Sequence, residues 1–154
     1  EAVASLSRQK IGALLVFERE TGLNEVVDTG TRIDGKISSG LLINIFIPNT
    51  PLHDGAVIIR DDRIKAAGCF LPLTDNMNLS KEIGTRHRAA LGITERSDSI
   101  AIIVSEETGI ISMAENGILT RYLDIKTVKE ILVNMYAPKS PKPSLLSKWR
   151  NKNE

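Results

Sequence analysis

Three short segments of this sequence carry side chains that could act on a charged ligand. In the first, His53 and Asp54 precede Gly55. A carboxylate on such a turn can hold a divalent cation, and the glycine lets a phosphate approach the backbone. The alternative is a structural turn in which Asp54 bonds its own backbone. Metal-dependent phosphohydrolases with a His-Asp pair need an earlier histidine, whereas the other histidine here, His87, comes later.

The second segment, residues 84–88, stands where a helix is predicted to begin. Free amides and the positive end of the helix dipole attract an anion there, and Arg86 and Arg88 add bidentate donors suited to phosphate. Cations oppose the dipole at this end, and a bound polyphosphate would remove that mismatch. The alternative is that both arginines are solvated and pair with Glu82 or Glu95.

The third segment, residues 105–109, follows an apolar strand. The end of a strand is a usual place for ligand contacts in α/β folds, although a hairpin with a charged tip has the same composition. A further segment, residues 30–37, approaches a phosphate-binding P-loop. That motif needs a hydroxyl after its lysine to bind Mg²⁺, and here Ile37 follows Lys36. A glycine-rich turn explains residues 30–37 without a nucleotide.

Charge is unevenly distributed along the chain. The sequence of 154 residues holds 20 lysines and arginines against 19 aspartates and glutamates, a net charge of +1. Five of these basic residues and one acid lie in residues 138–154, which leaves a mildly acidic body of 15 basic and 18 acidic residues. Broad binding to nucleic-acid phosphates needs a basic face. The distribution therefore argues against a nucleic-acid partner.

The single cysteine, Cys69, allows neither an internal disulfide nor a cysteine-based zinc site. This usage is typical of a reducing compartment, and we expect Cys69 to be a small buried apolar residue. The longest apolar runs, such as residues 13–17, fall short of the roughly 18 residues that a membrane span needs. Because the chain begins at Glu1 without a methionine, we expect it to be a piece of a longer protein.

The hydrophobic pattern predicts a single α/β domain with a mixed central sheet flanked by about four helices. Thr85 is predicted to cap one helix, and Ile125 to lie on the apolar face of the last. Residues 138–154 are predicted to be a basic, disordered tail. Predicted helices cover residues 3–9, 39–46, 85–93 and 125–135, and predicted strands cover residues 12–18, 24–28, 55–60, 64–70, 99–105 and 109–115.

Two triplets, residues 54–56 (DGA) and 86–88 (RHR), resemble the paired motifs of the diadenylate cyclase (DAC) domain. The similarity spans residues 11–122 and is also carried by residues 12–18, 42–46, 51–56, 84–90 and 104–109. It is strongest to the membrane-anchored type, in which the catalytic domain follows transmembrane helices. The resemblance implies the end of a linker helix over residues 1–10 and a catalytic domain over residues 11–137. The full-length protein would lie at the cytoplasmic face of the cell membrane, and this fragment would be soluble.

The resemblance also implies a reaction, in which two ATP molecules condense to cyclic di-AMP and two pyrophosphates. A 3′-hydroxyl attacks an α-phosphorus, a step that depends on alignment and charge stabilisation. Asp54 would bind Mn²⁺ or Mg²⁺ and help deprotonate the hydroxyl, with His53 as a second metal ligand. The implied catalytic residues are Asp54, Arg86, His87 and Arg88, and the implied nucleotide-binding residues are Gly55, Ala56, Phe70, Leu71, Gly84, Thr85, Ser105 and Glu106.

The implied partners follow from the same resemblance. One domain binds one ATP, so two copies must meet face to face, and the active species would be a homodimer. The family further implies a membrane regulator and a phosphoglucosamine mutase as partners. Two other functions stay open, a nucleotide sensor without turnover and a P-loop-like NTPase. The presence of Asp54 favours catalysis over sensing, and the NTPase would leave residues 86–88 unexplained.

Overall fold

A computed structural model describes residues 1–138 and gives seven strands and five helices over that range. The strands are β1 (Ala13–Glu18), β2 (Thr31–Lys36), β3 (Ala56–Arg60), β4 (Arg63–Cys69), β5 (Ile100–Val104), β6 (Ile111–Glu115) and β7 (Ile118–Leu123). The helices are α1 (Ala2–Gln9), α2 (Asn24–Val27), α3 (Ser39–Phe46), α4 (Thr85–Arg96) and α5 (Ile125–Tyr136).

The apolar runs of β1, β3 and β5 form the middle of one sheet, whose order is β2-β4-β3-β1-β5-β6-β7. Every residue of β5 is buried, as is every residue of β1 before Glu18. Strands covered on both faces are apolar throughout, without alternation. Because β1 pairs in parallel with β3 and antiparallel with β5, the sheet is mixed.

Helices cover both faces of this sheet. On one face, Leu6 of α1 and Phe46 of α3 share a core with Leu15 of β1. On the other face, Val27 of α2 packs in a second core with Leu14. Successive strand residues point to opposite faces, which is why neighbouring leucines serve different cores. The predicted α/β domain with a mixed sheet is therefore confirmed.

Two sequence predictions before α3 are wrong. Residues 24–28, predicted as a strand, contain the single-turn helix α2, in which the Val27 amide donates to the Leu23 carbonyl at 2.9 Å. Both side chains are buried, and burying one helical face overrides the strand preference of valine. Residues 30–37, predicted as a turn, contain β2, an edge strand that pairs with β4.

Sequence reasoning missed the strand β7. Asn116 and Gly117 connect it to β6 with φ angles of 51° and 72°. Two central residues with positive φ are the signature of a tight hairpin turn, and Asn-Gly is its favoured sequence. β7 is the second edge of the sheet, and Ile118 and Tyr122 on it are exposed.

The predicted helices are present, with corrections at their ends. Gly84 is the N-cap of α4, so the prediction of Thr85 as the cap is wrong by one residue. In α5, Val128 is buried as expected, but Ile125 is 42% exposed, because the first residue of that helix lies beyond the edge of the core. No helix within residues 1–138 is long and apolar enough to cross a membrane. The predicted tail lies outside the described residues, except for Pro138.

Four strand ends meet at one end of the sheet. β3 runs parallel to β1, whereas β4 and β5 run antiparallel to these two strands. Residues that precede β1 and β3 therefore lie beside residues that follow β4 and β5. The helix α4 begins at the same end, so segments far apart in sequence converge there.

Candidate active site

A cleft of about 760 Å³ opens where these strand ends meet the start of α4. All predicted site residues except Arg88 line this cleft. They reach it from four segments, namely residues 53–56, 70–71, 84–87 and 105–106. The sequence prediction of one shared site thus agrees with the geometry, while the role of each residue stays a prediction.

The turn before β3 presents His53 and Asp54 to the cleft. The His53 Nδ1 atom lies 2.5 Å from the carbonyl oxygen of Thr50. A carbonyl can only accept, so Nδ1 carries the proton and Nε2 keeps a lone pair. Asp54 is exposed, and its carboxylate accepts no hydrogen bond within residues 1–138. The structural-turn alternative, in which Asp54 bonds its own backbone, is therefore not observed.

Gly55 shapes this turn. Its φ is 122°, in a region that side-chain-bearing residues rarely adopt. A Cβ atom there would lie 2.7 Å from the carbonyl oxygen of Cys69. The glycine thus lets the turn cross close over the end of β4 and hold Asp54 at the mouth of the cleft.

The first turn of α4 forms the opposite wall. Gly84 has an extended backbone and no side chain to cap the helix. The amides of Thr85, Arg86 and His87 therefore lack acceptors within the helix, as at any helix start. These residues line the cleft, and the first turn contains no acidic side chain. Amides and helix dipole together favour an anion at this wall.

Arg86 adds a guanidinium to the wall. Its side chain is 24% exposed, and Nη1 lies 3.4 Å from Oε2 of Glu106, which is 66% exposed. Its Nε atom is buried without a hydrogen-bond partner among the described residues. One long contact to a solvated carboxylate leaves most of the hydrogen-bonding capacity of this guanidinium unused.

His87 is 5% exposed, and its Nε2 atom has no partner among residues 1–138. Burial lowers the pKa of His87, and the positive charges of Arg121 and Arg86 lower it further. The imidazole is therefore neutral near neutral pH. Arg121 comes from β7, where its Nη1 atom lies 3.3 Å from Oε2 of Glu82.

The segment after β5 is both a hairpin loop and a wall of the cleft. The Ser105 hydroxyl accepts hydrogen bonds from the amides of Glu107 and Thr108, each at 3.3 Å. These bonds close the loop locally and hold Glu106 and Glu107 over the cleft. The sequence left open whether this segment contacts a ligand or is a hairpin with a charged tip. The two interpretations are compatible.

Apolar side chains form a further side of the cleft. Phe70 is 70% exposed although it lines the cleft, and its amide donates to Oγ1 of Thr29 at 2.9 Å. Leu73 is 49% exposed beside it. Cys69, which lies beneath, is buried as predicted, and burial raises its pKa to about 11. An exposed aromatic ring at a cleft mouth can stack on a planar ligand.

Arg88 is the predicted site residue that does not line the cleft. It follows His87 on α4, and its carbonyl accepts from the Thr74 amide at 3.0 Å. Neither Arg86 nor Arg88 pairs with Glu82 or Glu95 within the described part of the chain.

Sequence reasoning missed other lining residues, among them Leu14, Leu73, Lys81, Glu82 and Glu107. Leu14 and Glu107 lie inside segments that carry the family similarity, and Glu82 was considered only as a partner of the arginines, whereas Leu73 and Lys81 carried no signal.

Residues 1–138 contain no group of three or more histidine, cysteine or acidic side chains able to hold a metal ion alone. His53 and Asp54 nevertheless provide two suitable ligands, an imidazole nitrogen and a carboxylate. Ligating histidines commonly donate their other ring N–H to a backbone carbonyl, as His53 does to Thr50. The residues present therefore fit a cation that takes its remaining ligands from a phosphate and water.

Similar proteins were found by sequence. The profile of the family described as "DAC: DisA bacterial checkpoint controller nucleotide-binding" matches residues 1–119. The chain is 55% identical over 132 residues to the cyclic di-AMP synthase CdaA of Bacillus subtilis, covering 86% of this chain and 48% of that protein. It is 52% identical over 146 residues to a diadenylate cyclase of Listeria monocytogenes, covering 94% of this chain and 54% of that protein. The chain thus spans about half the length of these relatives.

The fold is similar to that of solved structures. The crystal structure of an N166C/T172C double mutant of DacA from Staphylococcus aureus is 50% identical, with a TM-score of 0.86 over 89% of this chain and 91% of that chain. A hypothetical membrane spanning protein from Bacillus cereus is 46% identical, with a TM-score of 0.77 over 80% of this chain and 60% of that chain. Family profile, relatives and fold agree with the motifs that line the cleft, and we conclude that the chain belongs to the DAC family.

Proposed function

We propose that this chain is the catalytic domain of a diadenylate cyclase, which condenses two ATP molecules into cyclic di-AMP and two pyrophosphates. The observation that carries the proposal is a single cleft with three complementary walls. A free carboxylate and an imidazole stand on one wall, unsatisfied cationic donors stand on the second, and an exposed aromatic ring stands on the third. These walls match the 3′-hydroxyl, the triphosphate and the base of ATP.

In this proposal Asp54 acts at the nucleophile. The 3′-oxygen of one ATP attacks the α-phosphorus of the other, and its proton passes to a carboxylate oxygen of Asp54. The new O–P bond forms as the bond between the α-phosphorus and the bridging oxygen breaks, which releases pyrophosphate. A second such step closes the ring. An exposed carboxylate without hydrogen bonds is free to accept that proton.

The start of α4 acts at the leaving group. Amides of its first turn and the guanidinium of Arg86 would hold the triphosphate and stabilise the charge that develops on pyrophosphate. The neutral imidazole of His87 can donate to a phosphate oxygen or orient a neighbouring donor. Ser105 and Glu106 would add phosphate or metal contacts. Arg88 stays a predicted phosphate ligand, although it does not line the cleft.

A divalent cation, Mn²⁺ or Mg²⁺, belongs to the proposal. Nε2 of His53 and the carboxylate of Asp54 would hold it, together with phosphate oxygens. When bound, such an ion neutralises charge on the phosphates and favours the deprotonated hydroxyl. The chain itself holds His53 in the tautomer required, through the bond from Nδ1 to Thr50.

The active species proposed is a homodimer, because one cleft binds one ATP and the product contains two nucleotides. Two exposed apolar side chains that line the cleft, Phe70 and Leu73, support a contact there. Activity should then rise faster than in proportion to enzyme concentration. Strict proportionality over a wide dilution range would contradict a dissociable dimer.

The decisive experiment incubates the chain with ATP and Mn²⁺ and separates the products. Cyclic di-AMP supports the proposal, ADP indicates an NTPase, and unchanged ATP with measurable binding indicates a sensor. The P-loop-like segment is already disfavoured, because residues 30–37 lie around the edge strand β2 and none of them lines the cleft.

Asp54→Asn tests the metal and base assignment. We expect product formation to fall at least about 100-fold with an unchanged melting temperature, because Asp54 is exposed and unpaired. Asp62→Asn, in the exposed turn between β3 and β4, is the matched control and should retain activity. Wild-type turnover in Asp54→Asn would contradict the assignment.

We also propose that the full-length protein lies at the cytoplasmic face of the cell membrane and meets a membrane regulator and a phosphoglucosamine mutase. This proposal rests on the family resemblance, and the similarity to a hypothetical membrane spanning protein supports it. Co-purification of the full-length protein with each partner is the test.

A further inference from the structure

The residue before β1, Gly12, carries no side chain and lies against Arg86 of α4. A Cβ atom built on Gly12 would lie 2.6 Å from Cζ of Arg86 and 3.1 Å from its Nη2 atom, and it would also overlap Nη1. Real Cβ atoms essentially never approach that closely. The guanidinium of Arg86 therefore occupies the volume that any side chain at position 12 would need.

Backbone conformation does not explain the glycine. The described glycines with positive φ are Gly55, Gly68, Gly109 and Gly117, and Gly12 is not among them. The φ angle at position 12 therefore does not require glycine. The remaining reason for glycine there is the space that the guanidinium fills.

Position 12 also lies beside residues that line the cleft, although Gly12 itself is not among them. Ala13 pairs with Val104 in the antiparallel ladder of β1 and β5, so Gly12 comes opposite Ser105. Arg86 thus lies between the start of β1 on one side and the Ser105–Glu106 segment on the other, where Nη1 is 3.4 Å from Glu106. With Nε lacking a hydrogen-bond partner, packing on Gly12 fixes the guanidinium where hydrogen bonds do not.

Other glycines of the chain show what a structural close contact looks like. A Cβ on Gly92 would lie 2.7 Å from the carbonyl carbon of Pro72, and one on Gly30 would lie 3.1 Å from the Cys69 amide nitrogen. Both would meet backbone, which cannot move without repacking the fold. The three atoms nearest to a Cβ on Gly12 all belong to the far end of a flexible side chain, so the arginine can yield while the fold persists.

We infer that Gly12 is a positioning residue for Arg86, and that its missing side chain holds the guanidinium in the orientation that receives the triphosphate. The inference deepens the proposed function and rests on it for the identity of the ligand. It assigns a role to a residue outside the two motifs, more than 70 positions from Arg86 in sequence.

The experiment compares Gly12→Ala with Gly40→Ala. Gly40, on α3, is exposed and would place a Cβ in open space. Binding of 3′-deoxy-ATP, which cannot be condensed, is measured by calorimetry, and kcat and KM are measured with ATP. We expect Gly12→Ala to weaken 3′-deoxy-ATP binding and lower kcat/KM by about 10-fold or more, because a displaced guanidinium loses charge-assisted hydrogen bonds. Gly40→Ala should bind and turn over as the wild type does.

A double-mutant cycle with Arg86→Ala identifies the route of the effect. If Gly12 acts through the guanidinium, Gly12→Ala should leave 3′-deoxy-ATP binding unchanged in the Arg86→Ala background. If Gly12→Ala lowers the melting temperature, Gly12→Ala/Arg86→Ala should restore it, since the overlap has gone. Additive losses of binding, unrestored stability, or normal binding in Gly12→Ala would each overturn the inference.

This test separates two failures. A wild-type chain that binds 3′-deoxy-ATP but yields no cyclic di-AMP would contradict the proposed reaction and leave the cycle interpretable. A wild-type chain that makes cyclic di-AMP, with a Gly12→Ala variant that binds and turns over normally, would retain the reaction and reject the role of Gly12.

Discussion

Two arginines at opposite ends of the central strands differ in how many of their donor groups are hydrogen-bonded. Arg60, at the end of β3, donates from Nε and Nη2 to both carboxylate oxygens of Glu18, at 2.7 and 3.0 Å, and from Nη2 to Asn24 at 2.6 Å. Arg86, beside the start of β1, has one ion pair at 3.4 Å and a buried Nε without a partner.

This difference in hydrogen bonding indicates different roles for Arg60 and Arg86. The Glu18 side chain is only 7% exposed, and its carboxylate accepts from Arg60 and from the Leu23 amide. Hydrogen bonding to Glu18 raises the pKa of Arg60. This pair joins β1, β3 and α2 in the folded state. In the proposed function Arg86 keeps its donors for a ligand, which accounts for a buried Nε atom without a partner, since native structures rarely leave buried polar atoms unpaired without reason.

The largest effect is expected for Arg86→Met. We expect kcat/KM for ATP to fall by about 100- to 1,000-fold, as when a preorganised donor to a developing anion is lost. The free energy of unfolding should fall by no more than about 1 kcal/mol, because the one ion pair of Arg86 is long and reaches an exposed carboxylate, and methionine keeps much of the packing of the arginine stem. Arg19→Met, an exposed arginine outside the cleft, is the control. Large destabilisation by Arg86→Met would give Arg86 the same task as Arg60.

The reciprocal change is Arg60→Met. Removing one partner leaves Glu18 buried with an uncompensated charge, which costs about 3–5 kcal/mol in fully buried pairs. Because Arg60 is 32% exposed, we expect a smaller loss of about 2 kcal/mol in the free energy of unfolding. Urea denaturation measures it. The folded fraction should retain near-normal kcat/KM, and the additional change Glu18→Gln should recover part of the stability.

A third test concerns the buried side chain of His87, the residue that follows Arg86. Its pKa is lowered, so below the ordinary histidine value of about 6.5 the unfolded chain binds a proton that the native chain does not. This contribution therefore reduces the free energy of unfolding as pH falls through that value. We expect the stability of the wild type relative to His87→Asn to decrease between about pH 7.5 and about pH 5.5 in urea denaturation. A constant difference would contradict a neutral, buried imidazole.

The smallest expected effect is that of Arg121→Met. The positive charge of Arg121 helps to lower the pKa of His87, so removing it should raise that pKa. Titration of the His87 ring by NMR measures the change. Arg63→Met, which removes a guanidinium that pairs with Asp34 in the β2–β4 region, should leave the titration unchanged. A pKa that does not rise would show that Arg121 does not contribute and would leave burial and Arg86 as the causes.

Much of the fold follows from local patterns in the sequence. The apolar runs of β1, β3 and β5 were predicted because a strand buried on both faces has no polar alternation. The segment that became α2 was predicted as a strand because its valines favour strands, and only tertiary burial selects the helix. β2 escaped prediction because an exposed edge strand with Gly35 has no apolar signal. The Asn116-Gly117 dipeptide before β7 is a hairpin signal that can be recognised in the sequence.

The candidate site likewise has features that the sequence predicts and features that it does not. The DGA and RHR triplets could be identified because each is contiguous, and the cleft brings Asp54 and Arg86 together as expected. The placement of Arg88 off the cleft could not be predicted, because it depends on where α4 begins and how it is rotated. The contact between Gly12 and Arg86 joins residues whose types carry no shared pattern. Only packing reveals it.

The convergence of four strand ends at the cleft links occupancy to stability. The lining residues range from Leu14 to Glu107, so no fragment of the domain contains the site. A nucleotide then binds the native state alone, and by mass action it shifts the unfolding equilibrium. At about 100 times its dissociation constant, a ligand adds about 2.7 kcal/mol to the free energy of unfolding. If the proposed function holds, ATP would then protect the domain from proteolysis in addition to reacting in its cleft.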